Sequence, residues 1–508
     1  MKAMACTGIL LAMLVTACAR PVVVGDKVTT TAFTDTSATF LARKVDSLSP
    51  PRDGRSGVRL VPSGPEALAM RQVLSEQAER SIDAQYYLLH DDVTGHIFAG
   101  ELLLAADRGV RVRLLLDDMY TSEYDPMTIA LTRHPNINVR LFNPFRRHVP
   151  RAVNSLFEFS RIDRRMHNKS MTFDNQVTIV GGRNIGDEYF SARNDSNYDD
   201  LDMLAVGPVV EQVSGIFDDY WNSPHAIPAQ SIIRPGPDAP SYDQARARLI
   251  ARYDSANQTA YASAVTHDVR AQLRAGDLGL TWAPAQVLAD PPHKAAGPSD
   301  LVLASYIAPL LRSAQRELIV ESAYFMPGER GTALLKGIAQ SGVRVVILTN
   351  SLESNDVGMV HGHYARYRKE LLQAGVELWE LRPDKERPDR SLLKLGQSLS
   401  GLHAKAFSID GKKLFVGSFN WDPRSIDINT EMGILVGSPE LTETASRQFL
   451  QSLPDAAYKL RLNDRGQIEW LERQDDGRWT GYGQEPAKSG WQRFITGFYG
   501  YLPVGKEL

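Results

Sequence analysis

Apolar and polar positions follow one order twice along the chain. Gly109-Val-Arg-Val-Arg-Leu-Leu-Leu116 and Gly342-Val-Arg-Val-Val-Ile-Leu-Thr349 each read as a buried strand behind a glycine that suits a helix C-terminus. An amphipathic, helix-like segment precedes each, around residues 97–107 and 332–340. Before that, Gln77-Ala-Glu-Arg-Ser-Ile-Asp-Ala-Gln-Tyr-Tyr87 parallels Gln315-Arg-Glu-Leu-Ile-Val-Glu-Ser-Ala-Tyr-Phe325, a helix end running into a strand with a terminal aromatic pair. A further strand follows in both copies, over 137–142 and 376–381, each leading to a proline, Pro144 or Pro383. Strands alternating with helices at this spacing predict an α/β fold with helices packed on a sheet, built twice.

Both copies end in the same pattern, His167-x-Lys169-x4-Asp174 and His403-x-Lys405-x4-Asp410. A strand's two-residue period places His and Lys of each motif on one face. An imidazole beside an ammonium suits a phosphoryl group. The ring can attack phosphorus or move a proton near neutral pH, and the ammonium neutralises the non-bridging oxygens. A strand then leads to Gly181-Gly182-Arg183-Asn184 or Gly417-Ser418-Phe419-Asn420. Small residues there permit close backbone approach, and an Asn amide can donate to phosphate oxygens. A lone His-x-Lys-x4-Asp is a weak signal, but two copies in matching repeats form a specific one.

Composition sets the frame. With 43% hydrophobic and 23% charged residues in 508, the chain is globular, with room for more than one domain. A formal net charge of -3 gives no overall basic field to gather nucleic acid. Met1-Lys2, an apolar stretch over 9–15 and Thr16-Ala17 read as a secretory signal too short to span a bilayer. Only Cys6 and Cys18 occur, so no disulfide framework or cysteine zinc site is expected once Cys6 leaves with the signal. The domain expectation is a signal over 1–17, a tether over 18–57, a first domain over 58–230, a linking segment over 231–298 holding a helix from Tyr242 to Ala262, and a second domain over 299–508.

On these motifs the chain resembles the phospholipase D superfamily. Within it, Arg165-Met-His-Asn-Lys-Ser, Val180-Gly-Gly-Arg-Asn-Ile-Gly-Asp-Glu-Tyr-Phe190 and Tyr364-Ala-Arg-Tyr-Arg-Lys resemble the bacterial cardiolipin synthases of the C type. The resemblance implies two α-β-α sandwich domains related by a pseudo-twofold axis, with the active site at their interface. It implies that one histidine, taken as His167, forms a phosphohistidine, while His403 acts as acid and base. It also implies that Lys169, Lys405, Asn184 and Asn420 hold the phosphate without a metal or cofactor. Each histidine is expected to lean on a carboxylate, Asp200 and Glu431, with Asp202 a rival to Asp200. Asp174 and Asp410 are expected to stabilise the motif loop. The implied reaction is phosphatidyl transfer to phosphatidylglycerol; hydrolysis to phosphatidic acid and a superfamily nuclease are the alternatives. Leu14-Val-Thr-Ala-Cys18 is similar to a lipoprotein processing site, which implies an acylated Cys18, a periplasm-facing anchor and the outer membrane. An ordinary cleaved signal is the other reading of that segment. Phospholipids and the membrane surface are the partners expected, nucleic acid is not.

Three further segments carry two readings each. Arg146, Arg147, Arg151, Arg161, Arg164 and Arg165, interleaved with Phe145, Phe157 and Phe159, could form a lip for anionic headgroups or a solvated loop. Trp491, Phe494, Ile495, Phe498 and Tyr499 have helical spacing that serves a core or a membrane interface. His361-Gly-His363 could suggest a metal pair, but no cysteine or carboxylate stands at ligand spacing, so a place on a pocket rim is the reading kept, and Asp117-Asp118 at the equivalent point of the first copy could face the pocket too.

Overall fold

The computed structural model describes residues 27–147, 161–193, 196–234, 240–259, 261, 269–272, 278–299, 302–383 and 401–501. The first half supplies β1 (Ser56–Val61), β2 (Ser81–Tyr86), β3 (Arg111–Asp117), β4 (Ile137–Phe142), β5 (Ser170–Phe173), β6 (Val177–Gly181), β7 (Tyr198–Asp199), β8 (Asp202–Val206) and β9 (Ala226–Pro228). The linking segment follows with β10 (Thr281–Ala283) and β11 (Ala285–Ala289). The second half adds β12 (Glu317–Ser322), β13 (Arg344–Asn350), β14 (Glu377–Leu381), β15 (Gly401–Leu402), β16 (Lys405–Ile409), β17 (Lys413–Gly417), β18 (Met432–Gly437), β19 (Ala457–Leu462), β20 (Ile468–Arg473) and β21 (Trp479–Tyr482).

One sheet runs β10-β1-β8-β6-β5-β2-β3-β4-β9 and the other β11-β18-β17-β16-β12-β13-β14-β19-β20-β21. Apart from the extra edges β10 and β20-β21, the two orders are the same. The parallel trios β2-β3-β4 and β12-β13-β14 lie at the centre, where strands covered on both faces need nearly continuous apolar runs. Helices Gly64–Gln77 and Val93–Asp107 cover one face of the first sheet with Ile82, Ala84, Tyr86, Val112 and Leu114 in a shared core. On the other face Phe217 and Trp221 of helix Pro208–Asn222 pack with Leu115 and Phe142. A further core joins the halves, drawing Val58, Val180 and Met203 from one sheet and Val416, Met432 and Ile434 from the other. Parallel pairing of β7 with β15 crosses the same boundary.

Several expectations need correction. β11 holds the place in the second sheet that β1 holds in the first, each paired with its β8 or β18 counterpart. The second repeat therefore begins at Ala285, inside the segment read as a linker. β11 is a short, half-exposed edge strand, so its sequence lacks the apolar run that marks a buried one. The linker helix spans Tyr242–Asn257, shorter than expected, and packs on helix Val93–Asp107, where Tyr253 donates to Glu101 at 2.7 Å.

The tether is also partly folded. Helix Phe40–Ser47 buries Leu41 and Val45 in the first core. The Ala32 N–H donates to Asp218 at 2.8 Å, and Arg113 donates to the Thr30 carbonyl at 2.9 Å. Three buried side chains, Leu41, Ala42 and Val45, in an otherwise mostly polar stretch leave little periodicity to read. Cys6 and Cys18 lie outside the described residues.

The repeats align differently from the sequence reading as well. Ile82 pairs with Phe173 and Leu318 with Ile409, an offset of two residues from the Gln77–Gln315 alignment. A two-residue slip keeps every side chain on its face, so hydrophobic alternation cannot reveal it.

Candidate active site

The motif strands meet at the boundary between the halves. An isolated bridge between Met166 and Thr430 draws the first motif against the end of the second repeat, and the His167 N–H donates to the Thr430 carbonyl at 2.9 Å. In mirror fashion the His403 N–H donates to the Asp199 carbonyl at 2.7 Å. Regular pairing starts just after, at Ser170 and Lys405, with Met171 facing the core. Lys169 Nζ returns to the His167 carbonyl at 2.6 Å, and Lys405 Nζ makes the same bond to the His403 carbonyl. Each His-Lys pair is thus a closed local unit with the ammonium held beside the imidazole.

The orienting carboxylates come from opposite halves. His167 Nδ1 lies 2.8 and 3.1 Å from the Glu431 oxygens, and His403 Nδ1 lies 2.5 Å from Asp200 Oδ2. An acceptor on Nδ1 fixes the proton there and leaves Nε2 for chemistry. Asp202, the rival, instead receives Arg71 at 2.9 Å and faces Arg183 at 3.4 Å. The two carboxylates differ in their other partners. Glu431 also accepts the hydroxyls of Ser418 at 2.5 Å and Ser425 at 2.7 Å. Asp200 accepts the Leu201 N–H at 2.7 Å. Gly182 stands where the other half has Ser418, and a Cβ on it would lie 2.1 Å from Asp200 Oδ1. The glycine is a space requirement of the Asp200–His403 pair.

Asn184 and Asn420 are both buried, each with its Oδ1 atom lacking a hydrogen-bond partner. Asn184 Nδ2 donates to the Tyr189 hydroxyl at 3.1 Å. Three rings the sequence did not single out enclose the imidazoles. Tyr87 lies edge-on to His167 at 5.1 Å, and Tyr189 and Tyr198 lie 5.0 and 5.2 Å from His403. Asp290 was missed too; it accepts the Glu431 N–H at 2.9 Å and pairs with the buried Lys294. The aromatic pair noted at the repeated strand end was the available signal for Tyr87. Nothing in local pattern marked Ser425, which reaches Glu431 from a short helical turn six residues upstream, or Asp290, which reaches it across 141 residues.

Asp174 and Asp410 sit at the far ends of β5 and β16. Asp174 Oδ1 accepts the N–H groups of Arg80 and Ser81 at 2.7 and 2.9 Å, and Asp410 Oδ1 those of Arg316 and Glu317 at 2.7 and 3.0 Å. Both clamp the turn that opens the neighbouring central strand, away from the imidazoles. Asp117 accepts the Met166 N–H at 2.8 Å and pairs with Arg165, so it braces the approach to the first motif. Asp118 binds Arg147. Of the expected arginine lip, residues 148–160 lie outside the described residues. Arg161 donates to Asn143 Oδ1 at 2.7 Å, and Arg164 to the Lys294 and Asp427 carbonyls at 3.2 Å each. His361 is held by Glu485 at 2.6 Å, beside Arg368. Among the described residues, His90, Asp92 and Glu188 bring ligand-type atoms within 4.8 Å of one another. The N–H groups of Gly95 and Asp187 already bond the two Asp92 oxygens.

Burial and the two lysines dominate the electrostatics. Burial, offset by Glu431 and reinforced by Lys169 and Lys405, lowers the His167 pKa to about 4. His403 is lowered by burial and by Lys405 and Lys169, against the pull of Asp200. Each imidazole therefore lies within electrostatic reach of the lysines of both motifs. Burial lowers Lys405 to about 8 and Lys169 further. Four buried groups that each lose by being cationic would all gain from an anion bound among them.

Known proteins resemble this chain along most of its length. The family described as "Cardiolipin synthase, PLD-like domain" matches residues 72–221 and 307–453, one match per half. Cardiolipin synthase C of Escherichia coli (strain K12) is 41% identical over 480 residues, covering 91% of this chain and 98% of that protein. An uncharacterized protein of Helicobacter pylori is 32% identical over 418 residues, 82% of this chain and 80% of its own. In fold, the crystal structure of Haemophilus influenzae phosphatidylserine synthase covers 83% of this chain and 92% of its own at a TM-score of 0.55 and 14% identity. With two matched repeats, one shared sheet order and a histidine contributed by each, the chain belongs to the phospholipase D superfamily, in the family of the cardiolipin synthases.

Proposed function

We propose that this chain makes cardiolipin by moving a phosphatidyl group from one phospholipid to the glycerol of phosphatidylglycerol. The observation that carries the reading is the crossed pairing of each motif histidine with a carboxylate of the other half, beside two buried lysines. His167 Nε2 attacks the donor phosphorus while His403 gives its Nε2 proton to the departing alcohol oxygen, and the P–O bond breaks. The acceptor hydroxyl then loses its proton to His403, its oxygen attacks phosphorus, and the P–N bond breaks to restore His167. Lys169 and Lys405 stabilise the non-bridging oxygens, with Asn184 and Asn420 as further donors. The anion also offsets what burial costs the lysines.

The unlike carboxylates support His167 as the nucleophile and His403 as the acid. Glu431 shares its charge with two hydroxyls, so it supports a proton on His167 weakly and leaves that ring neutral, as a nucleophile must be. Asp200 carries fewer donors and supports the protonated form of His403 better, as an acid must be supported. Hydrolysis to phosphatidic acid uses the same groups with water as acceptor. The 41% identity to a cardiolipin synthase favours the transferase. The proposed unit boundaries are a first half through Ala283 and a second from Ala285, joined at Pro284. Acylation of Cys18 is proposed to hold the enzyme on the periplasmic side of the outer membrane.

The test incubates purified protein with phosphatidylglycerol, with and without phosphatidylethanolamine, and resolves products by mass. Cardiolipin is the expected product. Phosphatidic acid alone assigns a hydrolase, and no lipid turnover refutes both readings.

A further inference from the structure

The helix Gly490–Tyr499 is packed in the reverse sense to one that serves a protein core. Thr496 is its buried residue. A Cβ on Gly362 beneath it would lie 2.3 Å from the Thr496 carbonyl, and one on Gly500 would lie 2.6 Å from the Gly362 carbonyl. Gln492 Nε2 donates to the Leu352 carbonyl at 2.8 Å, and Arg366 to that of Gly500 at 3.2 Å. Thr496, Gln492 and Gly500, with the half-buried Ile495 and Tyr499, therefore make the inward side. The outward side is Trp491, Phe494 and Phe498, at 67, 66 and 59% exposure, followed by Tyr501 at 86%. Trp491 and Phe494 stack at 5.6 Å. The backbone-to-backbone fit at Gly362 fixes the helix's rotation, so the rings cannot turn inward without parting the two helices.

The position matters as much as the face. Helix Gly490–Tyr499 rests on helix Gly358–Ala365 and on the loop before it. In that loop Asp356 accepts the hydroxyls of Tyr198 and Tyr324 at 3.0 Å, and Tyr198 is one of the rings against His403. On the His167 side, Tyr120 is 50% exposed and lies 5.7 Å from Tyr87, which touches His167. Exposed aromatics thus stand beyond both imidazoles.

We infer that the face formed by Trp491, Phe494, Phe498 and Tyr501 inserts into the interfacial zone of a phospholipid bilayer and sets the mouth of the site against lipid. The inference rests on the reading of phospholipids as substrates. Three features favour this occupant. Trp491 and Tyr501 are rings that suit a boundary between water and hydrocarbon, and Phe494 and Phe498 add apolar surface between them. A ten-residue amphipathic helix is suited to lie in the membrane plane. Exposed Lys488, just ahead of the helix, adds a cation at headgroup depth.

The test places the full chain on vesicles of phosphatidylethanolamine and phosphatidylglycerol that contain brominated acyl chains. Fluorescence quenching is compared between the parent and Trp491→Phe. The parent is expected to show quenching that the variant loses. Equal quenching in both overturns the inference, as does disulfide formation between two W491C chains in place of lipid contact, which assigns the face to a second copy. In addition, Trp491→Ala/Phe494→Ala/Phe498→Ala should lower turnover of vesicular phosphatidylglycerol at least tenfold while leaving a monomeric short-chain analogue unaffected. Equal losses on both substrates overturn the inference too. If the parent turns over neither lipid, the proposed function fails, and the quenching still decides the docking.

Discussion

Removing the hydroxyls of Ser418 and Ser425 should move the titration of a histidine neither of them touches. Both donate to Glu431, which in turn receives His167 Nδ1. Without them the carboxylate keeps more charge for the imidazolium, so the His167 pKa rises. A hydrogen bond of ~1–1.5 kcal/mol corresponds to about one pKa unit, and two of them take His167 from about 4 to about 6. Because kcat/KM reports the free enzyme and attack requires the neutral ring, the acid limb of its pH profile should follow. At pH 5 the double variant Ser418→Ala/Ser425→Ala would then hold roughly a tenth of its His167 neutral, while the parent holds most of it. The assay is kcat/KM on a short-chain phosphatidylglycerol between pH 5 and 8, with thermal unfolding as a check on integrity. A tenfold fall at pH 5 confined to the variant is expected. A profile that stays flat to pH 5, or shifts to lower pH, would refute the charge-sharing account and with it the reason given for His167 as nucleophile.

Four other outcomes follow from the same geometry. His403→Ala should still accumulate phosphoenzyme from a substrate with an activated leaving group, whereas His167→Ala should not; label retained on His167→Ala protein reverses the assignment. Gly182→Ala should cost at least about 2 kcal/mol of transition-state stabilisation, roughly thirtyfold in kcat, because its Cβ would sit 2.1 Å from Asp200 Oδ1; near-normal kcat would show that the backbone yields freely. Asp174→Ala should lower stability by about 3 kcal/mol or more and Asp410→Ala by less, since Asp174 is fully buried and Asp410 is not, as read from urea midpoints. His167 titrates lower in the folded than in the unfolded chain, so its contribution to stability is complete above pH 6.5 and lost as pH falls toward 4; that contribution, ~3 kcal/mol, should be absent from the pH dependence of His167→Gln.

Much of the site was legible because it is repeated. The two His-Lys pairs and the two asparagines stood out as matching positions in matching repeats, whereas the two carboxylates came only with the family resemblance; the histidines and carboxylates meet at the boundary between the halves. The crossing of the carboxylates was not legible, since each partnership spans more than two hundred residues and leaves no local period. Asp290 is hidden in the same way, reaching Glu431 across 141 residues from the segment read as a linker, whereas Ser425 lies only six residues from Glu431, in a short helical turn whose sequence carries no signature of that contact. Ser418 was visible as the odd member of the Gly-Gly/Gly-Ser pair, but its target was not. β11 and helix Phe40–Ser47 were missed for a different reason. An edge strand and a short helix bury too few side chains to impose a pattern, and their places are set by the sheet and core they join.

Between β10, which closes one sheet, and β11, which opens the other, stands a single residue, Pro284. Its carbonyl accepts the Gly437 N–H at 2.9 Å, so even this joint is tied down. Many two-lobed enzymes trap substrate by swinging their lobes together. Here the lobes are stitched at the edge by a proline and share a buried core, and opening them would pull both histidines from their carboxylates at once. Turnover must then proceed in a fixed vice. The first alcohol leaves and the second arrives through the mouth, while the phosphatidyl group waits on the protein and the walls stay where they are.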